Sequence, residues 1–362
     1  MSEPSRLEKK ALHCLDTAEY YEAHQVYRTM YFRMILKGQF DELLDLLYSG
    51  SQKFIEVNDA LAAIDLAELY ADTLLKASSE PSEKIFEQIF SMVERFSNPS
   101  FPSPSPDAQN RFISTCVKWS RSIATKRRER KYGLSKLHHI IAQAYCTHRQ
   151  FVNARNHMLF AEQPEEFAKL LHTLRLNGGC KFSEFDMFCV LPCLQLLTMH
   201  RVRTASQLLK AYLTDYDKSS CNGIRQELFN FIRILCGALT LRDAKLFEHL
   251  INVYKPHLNV DPSYHNYLGQ IGHIFFGIPL SKNKSDSLGG LLGNILKGVL
   301  GEKKDEEEHF SESDFESVAP NSVQPETEEA YETAEESEGP DTMTHAKKES
   351  RQSTIGNFDD LD

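Results

Sequence analysis

The chain is 362 residues long, 41% hydrophobic and 25% charged, with a formal net charge of −10. That length holds two domains or one long repeat array, and the composition is ordinary for a soluble globular protein. Met1-Ser2-Glu3-Pro4 opens no apolar run, and the longest apolar segment, 187–199, contains Pro192 and Gln195 and is too short to span a bilayer, so neither a signal peptide nor a membrane anchor is expected.

Eight cysteines are scattered without pairing rhythm, which favours reduced thiols and a cytosolic address over a disulfide scaffold. The charge is unevenly placed. Residues 302–362 hold about 20 acidic and about 5 basic side chains, roughly −15, which leaves about +5 for the rest of the chain.

Helical patterning runs almost continuously from Leu7 to Phe276. Hairpin partners are expected at 7–16 and 20–36, then at 40–54 and 59–76. In the first of these, Tyr20, Ala23, Tyr27, Met30 and Met34 recur at spacings of three and four, an apolar helical stripe. Only Lys37-Gly38-Gln39 separates it from the next helix, so the two fold back on each other, and their exposed edge calls for a third and a fourth helix. Further helices are predicted at 82–96, 106–121, 134–147, 151–161, 164–176, 183–199, 202–216, 224–241, 244–254 and 262–276. Ser105-Pro106 and Asp261-Pro262 put a capping side chain before a first-turn proline, while Gly178-Gly179 and Gly277 followed by Pro279 mark ends. Tyr20 with Ala23, and Phe151 with Ala154, have the spacing of a tetratricopeptide hairpin, without a steady 34-residue period. The expected fold is all-α, a right-handed α-solenoid of tetratricopeptide-like hairpins. Beyond Ser281, the Leu291-Leu292-Gly293-Asn294-Ile295-Leu296 segment is read as docking onto the solenoid end, and 301–362 as a disordered acidic tail.

Local signs of catalysis are missing. There is no phosphate-cradling glycine loop with lysine, no glycine fingerprint after a strand and no HExxH, so no cofactor, no metal and no enzymatic activity are expected. Cys189 and Cys193 lie four apart with no second ligand pair and are read as buried thiols; His138 is read as a packed or capping imidazole. Lys126-Arg127-Arg128-Glu129-Arg130-Lys131 reads as a solvated connector, with a nuclear-localisation signal or an anion-binding patch as the alternatives, and no aromatic platform flanks it to support nucleic-acid binding. Pro99 to Pro106 is expected to form a stiff, extended linker.

Two helices have residues left over after packing. His24 and Arg28 are four apart on a face away from the main stripe of their helix. Arg33 lies about 140° round from Arg28, so one arginine is expected to pair inside the solenoid with Asp65 or Glu68. Near the other end, Tyr264, Tyr267, Leu268, Ile271 and Phe275 form one stripe, half of which must be capped by a partner or by the chain itself.

The YEAHQVYRTMYFR run at 21–33, the Tyr48-Ser49-Gly50 turn, Lys118-Trp119-Ser120, the DPSYHNYLGQIGHIFFGIP run at 261–279 and the GGLLGNIL segment together resemble the Golgi-to-ER traffic protein four family over about residues 10 to 300. The resemblance implies a non-catalytic cytosolic scaffold for delivering tail-anchored membrane proteins to the ER. Its N-terminal half, 1–160, would bind a targeting ATPase through His24, Arg28, Arg33 and Asp65. Its C-terminal half, 161–300, would bind a ubiquitin-like adaptor and a BAG-domain chaperone subunit through Tyr264, Tyr267, Ile271 and Phe275. Direct membrane insertion is not part of that expectation. An unrelated helical-repeat adaptor of a large cytosolic assembly is the alternative.

Overall fold

The computed structural model describes residues 5–102, 106–178, 185–217 and 227–279, all within one unit spanning 1–309. Among them every regular element is a helix: α1 (Arg6–Asp16), α2 (Tyr20–Lys37), α3 (Phe40–Glu56), α4 (Ala60–Ala77), α5 (Glu83–Phe96), α6 (Pro106–Ile123), α7 (Arg127–Tyr132), α8 (Ser135–Thr147), α9 (Phe151–Met158), α10 (Pro164–Asn177), α11 (Met187–Thr198), α12 (Val202–Asp217), α13 (Glu227–Leu241), α14 (Ala244–Leu258) and α15 (Pro262–Phe276). Most helices pack on a neighbour in sequence, next-but-one pairs such as α2 with α4, α4 with α6, α10 with α12 and α11 with α13 also touch, and α5 meets α8 and α11 meets α15. That nearest-neighbour pattern is an α-solenoid. The expected acidic tail and the LLGNIL segment lie outside the described residues.

The helix starts follow from side-chain chemistry. Asp59, Ser82 and Asp243 each accept a hydrogen bond from the backbone N–H three residues on, and Asp261 accepts from Ser263 ahead of α15's first-turn proline. The hairpin turns repeat one conformation. At Ala18, Asn58, Arg149, His200 and Arg242 the backbone is left-handed (φ +58, +58, +58, +59 and +53), and the next residue donates its N–H to the carbonyl five positions back. The helix's orphan carbonyls are thereby satisfied without glycine, which is why these turns carry no glycine signal in the sequence. Small residues set the approach of the helices: Ala23, Ala63, Ala67, Ala71 and Ala154 are all fully buried. Trp119 is also fully buried, and its indole N–H donates to the Ser79 carbonyl at 2.8 Å.

Four expectations need correction. The basic run at 126–131 is a short helix, α7, because Tyr132 at its end is buried against Phe160 (5.5 Å between ring centroids) and anchors it. Tyr48-Ser49-Gly50 is no turn but the middle of α3, where glycine is required by contact: a Cβ on Gly50 would lie 2.7 Å from Tyr27 Cε1 and 2.9 Å from Leu66 Cδ1. The part of the proline-rich stretch described, Pro99–Pro102, turns rather than extends: Phe101 N–H donates to the Asn98 carbonyl and the Phe101 ring tucks against Phe96. Finally, α14 continues through Pro256 to Leu258, past its expected end at Tyr254.

Candidate functional site

Three helices of one layer, α2, α4 and α6, present a stripe of paired charges. The carboxylates Asp65, Glu68 and Asp72 recur on α4 at spacings of three and four and so share a face. Each meets a partner from a neighbouring helix. His24 Nε2 is 2.8 Å from Asp65 Oδ2, and Arg28 Nη1 donates to both Asp65 oxygens at 3.1 and 3.3 Å. Tyr31 donates its hydroxyl to Asp72 at 2.8 Å, and Lys76 reaches the same carboxylate at 2.6 Å while donating to the Tyr31 oxygen at 3.0 Å. Burial, and then the opposed hydrogen bonds of Lys76 and Asp72, leave the Tyr31 hydroxyl with a raised pKa, so it stays protonated and a donor. From α6, Arg111 clasps Glu68 through Nε and Nη2 at 3.1 and 2.9 Å.

Of the four N-terminal residues expected to form a site, the structure brings three together. His24, Arg28 and Asp65 form one cluster in which the arginine side chain is 40% exposed and the carboxylate 31%. Arg33 lies outside it, exposed on another face of α2, as the 140° offset requires. Sequence reasoning missed Tyr31, Asp72 and Lys76, although the carboxylate periodicity of α4 marked them. Exposed Tyr21 lies three residues before His24, Phe32 four after Arg28 and Leu61 four before Asp65, so these three share helix faces with the cluster. A half-exposed set of fixed charges edged by apolar side chains is suited to recognising another protein.

The C-terminal residues are placed otherwise. Tyr264, Tyr267 and Ile271 are 1%, 2% and 0% exposed. Helix α15 folds back over α11, and Gln195 of α11 donates its amide to the Tyr267 hydroxyl at 3.1 Å. The stripe that needed a cap is therefore capped by the chain's own α11. These three residues are core and offer no surface to a partner. Phe275 is half-buried, its ring 4.7 Å from that of His200. Among the described residues of this half, the large apolar side chains that are exposed are Leu176, Ile234, Leu241, Val253 and Val260.

The other chemical candidates are structural. Cys189 and Cys193 are fully buried on α11 with their sulfurs 3.8 Å apart, and the Cys193 thiol is pushed up by its Cys189 neighbour and by burial. His138 is fully buried. Its Nε2 faces the Tyr132 carbonyl at 2.8 Å and so must carry the proton, which leaves Nδ1 to accept from His157 Nδ1 at 3.1 Å. Burial pushes the His138 pKa down to about 4, against the Tyr132 carbonyl and with help from the Arg201 charge. Among the described residues, no group of three or more His, Cys, Asp or Glu is placed to hold a metal ion, and no helix is long and apolar enough to cross a membrane.

A family model for Golgi to ER traffic protein 4 matches residues 37–296. The chain is 33% identical over 317 residues to the Golgi to ER traffic protein 4 homolog of Takifugu rubripes, covering 87% of this chain and 93% of the relative. It is 31% identical over 314 residues to the homolog of Homo sapiens, covering 85% and 90%. The solved crystal structure of C. therm. Get4 superposes with a TM-score of 0.63 at 22% identity, covering 80% of this chain and 94% of that one, a likeness of fold. The chain belongs to the Golgi to ER traffic protein 4 family.

Proposed function

We propose that the chain acts in Golgi-to-ER traffic as a non-catalytic cytosolic scaffold that bridges a targeting ATPase for tail-anchored proteins to a ubiquitin-like adaptor and a BAG-domain chaperone subunit. Family membership across nearly the whole folded part supports the traffic role. The observation that carries the scaffold reading is the α2–α4–α6 face, where His24, Arg28 and Asp65 are held in fixed geometry beside exposed Tyr21, Phe32 and Leu61. Charges fixed in advance steer a charged partner and set its register without ordering cost at the moment of docking.

On this reading residues 1–160 hold the ATPase and residues 161–300 hold the adaptor and chaperone. Because Tyr264, Tyr267 and Ile271 are interior, the second surface is carried by Phe275 and by exposed Leu241, Val253 and Val260. The ATPase contact is then salt-sensitive and the adaptor contact salt-resistant.

The test is reconstitution of the purified full-length chain with its own ATPase and ubiquitin-like protein, read by co-sedimentation at low and molar salt. Arg28→Glu is expected to lose the ATPase and keep the adaptor. Recovery of neither protein would leave the chain an adaptor of some other assembly. Equal survival of both contacts in molar salt would overturn the electrostatic assignment.

A further inference from the structure

Successive hairpin turns place three residues in left-handed backbone at one corner of the molecule: Glu162 between α9 and α10, His200 between α11 and α12, and Arg242 between α13 and α14. The basic helix α7 lies against the same corner. Arg128 of α7 and Arg201 of the α11–α12 turn both reach Glu162, at 3.0 and 3.3 Å, and the Arg201 guanidinium lies 6.0 Å from the centre of the Tyr132 ring. His200 is thus surrounded. Partial desolvation, followed by the positive charges of Lys131, Arg242, Arg127 and Arg128, pushes its pKa below the ordinary imidazole value.

The carboxylates at this corner are Glu162, engaged twice, Glu129 within α7 itself, and Asp243 beside Arg242, whose side chain caps α14 by accepting from the Leu246 N–H. Among the described residues Lys126, Arg127, Arg130, Lys131 and Arg242 have no carboxylate within ion-pair distance, and all five are exposed. Such a concentration of uncompensated cations, gathered from two separate elements, raises the local potential well above that of a mildly basic surface.

We propose that this cation cluster is the docking site of an acidic segment of the same chain, the run Asp305-Glu306-Glu307-Glu308. Two observations select that occupant over a foreign polyanion. The first is the exit of the chain: the Phe275 ring packs on His200 in the midst of the cations, and the described chain ends four residues later at Pro279, with Ile278 N–H tied to the Gly272 carbonyl. The second is reach and charge. About 26 residues separate Pro279 from Asp305, a length of chain that could reach up to roughly 85 Å, so the acidic run can return to the site and is held near it at a raised effective concentration. The four consecutive carboxylates complement the five unpaired cations. Docking lowers the positive potential of that corner and screens it from other anions. The corner lies beside Phe275 and Leu241 of the adaptor surface proposed above, and the experiment below reads the docking with neither partner present.

The experiment uses the full-length chain and a synthetic hexaglutamate peptide as probe, at about 50 mM salt, where such contacts are least screened. The internal run competes with the probe. Its neutralisation in the variant D305N/E306Q/E307Q/E308Q is therefore expected to tighten probe binding by roughly threefold to tenfold. Adding R127E/R130E/R242E to that variant, all exposed positions, is expected to abolish probe binding with an unchanged helical circular dichroism spectrum. Equal affinity of the wild-type and neutralised chains overturns the proposal. So does a neutralised chain that ignores the peptide but takes heparin or phosphatidylserine vesicles, because the site would then belong to nucleic acid or membrane.

Discussion

Replacing Gly50 by alanine sets two effects of opposite sign against each other. In the middle of a helix the change alone gains about 1 kcal/mol, because alanine loses less backbone freedom on folding. Gly50, however, sits where α3 crosses α2 and α4. The new methyl would lie 2.7 Å from Tyr27 Cε1 and 2.9 Å from Leu66 Cδ1, and neither neighbour has room to retreat, being 3% and 0% exposed. Forcing one carbon into a filled core costs about 1–3 kcal/mol, and a double clash with an immobile ring belongs at the upper end, so net destabilisation of about 1–2 kcal/mol is expected. Gly237 supplies the control. It too lies inside a helix, α13, but an added Cβ meets nothing within 4 Å, so Gly237→Ala keeps only the gain of about 1 kcal/mol. The N-terminal half reports through Trp119, the one tryptophan of the chain, buried beside the hairpins that include α3. Urea titration followed by its fluorescence should show a lower midpoint for Gly50→Ala, and far-ultraviolet circular dichroism a higher one for Gly237→Ala. A Gly50→Ala chain at least as stable as the parent would refute the close crossing of α2, α3 and α4.

Acidification tests the buried histidine pair: an imidazole titrating near 6.5 in the unfolded chain and at about 4 in the fold lets the unfolded state bind more protons between those values, so its stabilisation is complete above about pH 6.5 and is lost as pH falls. Between about pH 7 and 5 the loss from His138 is roughly 2 kcal/mol, His157 adds in the same direction, and urea midpoints for the parent and His138→Gln should converge as pH drops. Tyr267→Phe should cost about 1 kcal/mol and Tyr267→Ala about 3–5 kcal/mol while adaptor capture by the folded fraction is unchanged; lost capture at full stability would put Tyr267 on the surface after all. The exchange Arg28→Asp with Asp65→Arg keeps an internal pair and inverts the charge pattern on view. Thermal stability should change by less than about 1 kcal/mol while ATPase binding is lost, and retained binding would show that the pair only braces α2 against α4.

Much of the fold was legible because helix formation here is governed by local chemistry. Apolar periodicity, caps such as Asp261 before Pro262 and short connections define the hairpins. Stacking follows, since each hairpin leaves an apolar edge that the next must cover. The pairing of Arg28 with Asp65 was foreseeable for the same reason: both lie on fixed faces of helices that the hairpin logic brings together. Where an element's fate depends on distant contacts, periodicity could not decide it. The basic run 126–131 has no apolar stripe of its own and becomes helical because Tyr132 packs under Phe160, a residue of a later turn.

What the amino-acid order determined by itself is thus an all-helical chain, its hairpins and the faces their charges occupy. Tertiary structure alone decided which apolar stripes stay open. The α15 stripe has the residues of a docking surface, and only the return of α15 onto α11, with the Gln195 amide bonded to Tyr267, turns it into core. A helical stripe specifies that apolar area must be covered; what covers it depends on which helix the superhelix brings back within reach, a long-range geometry that spacings of three and four do not contain.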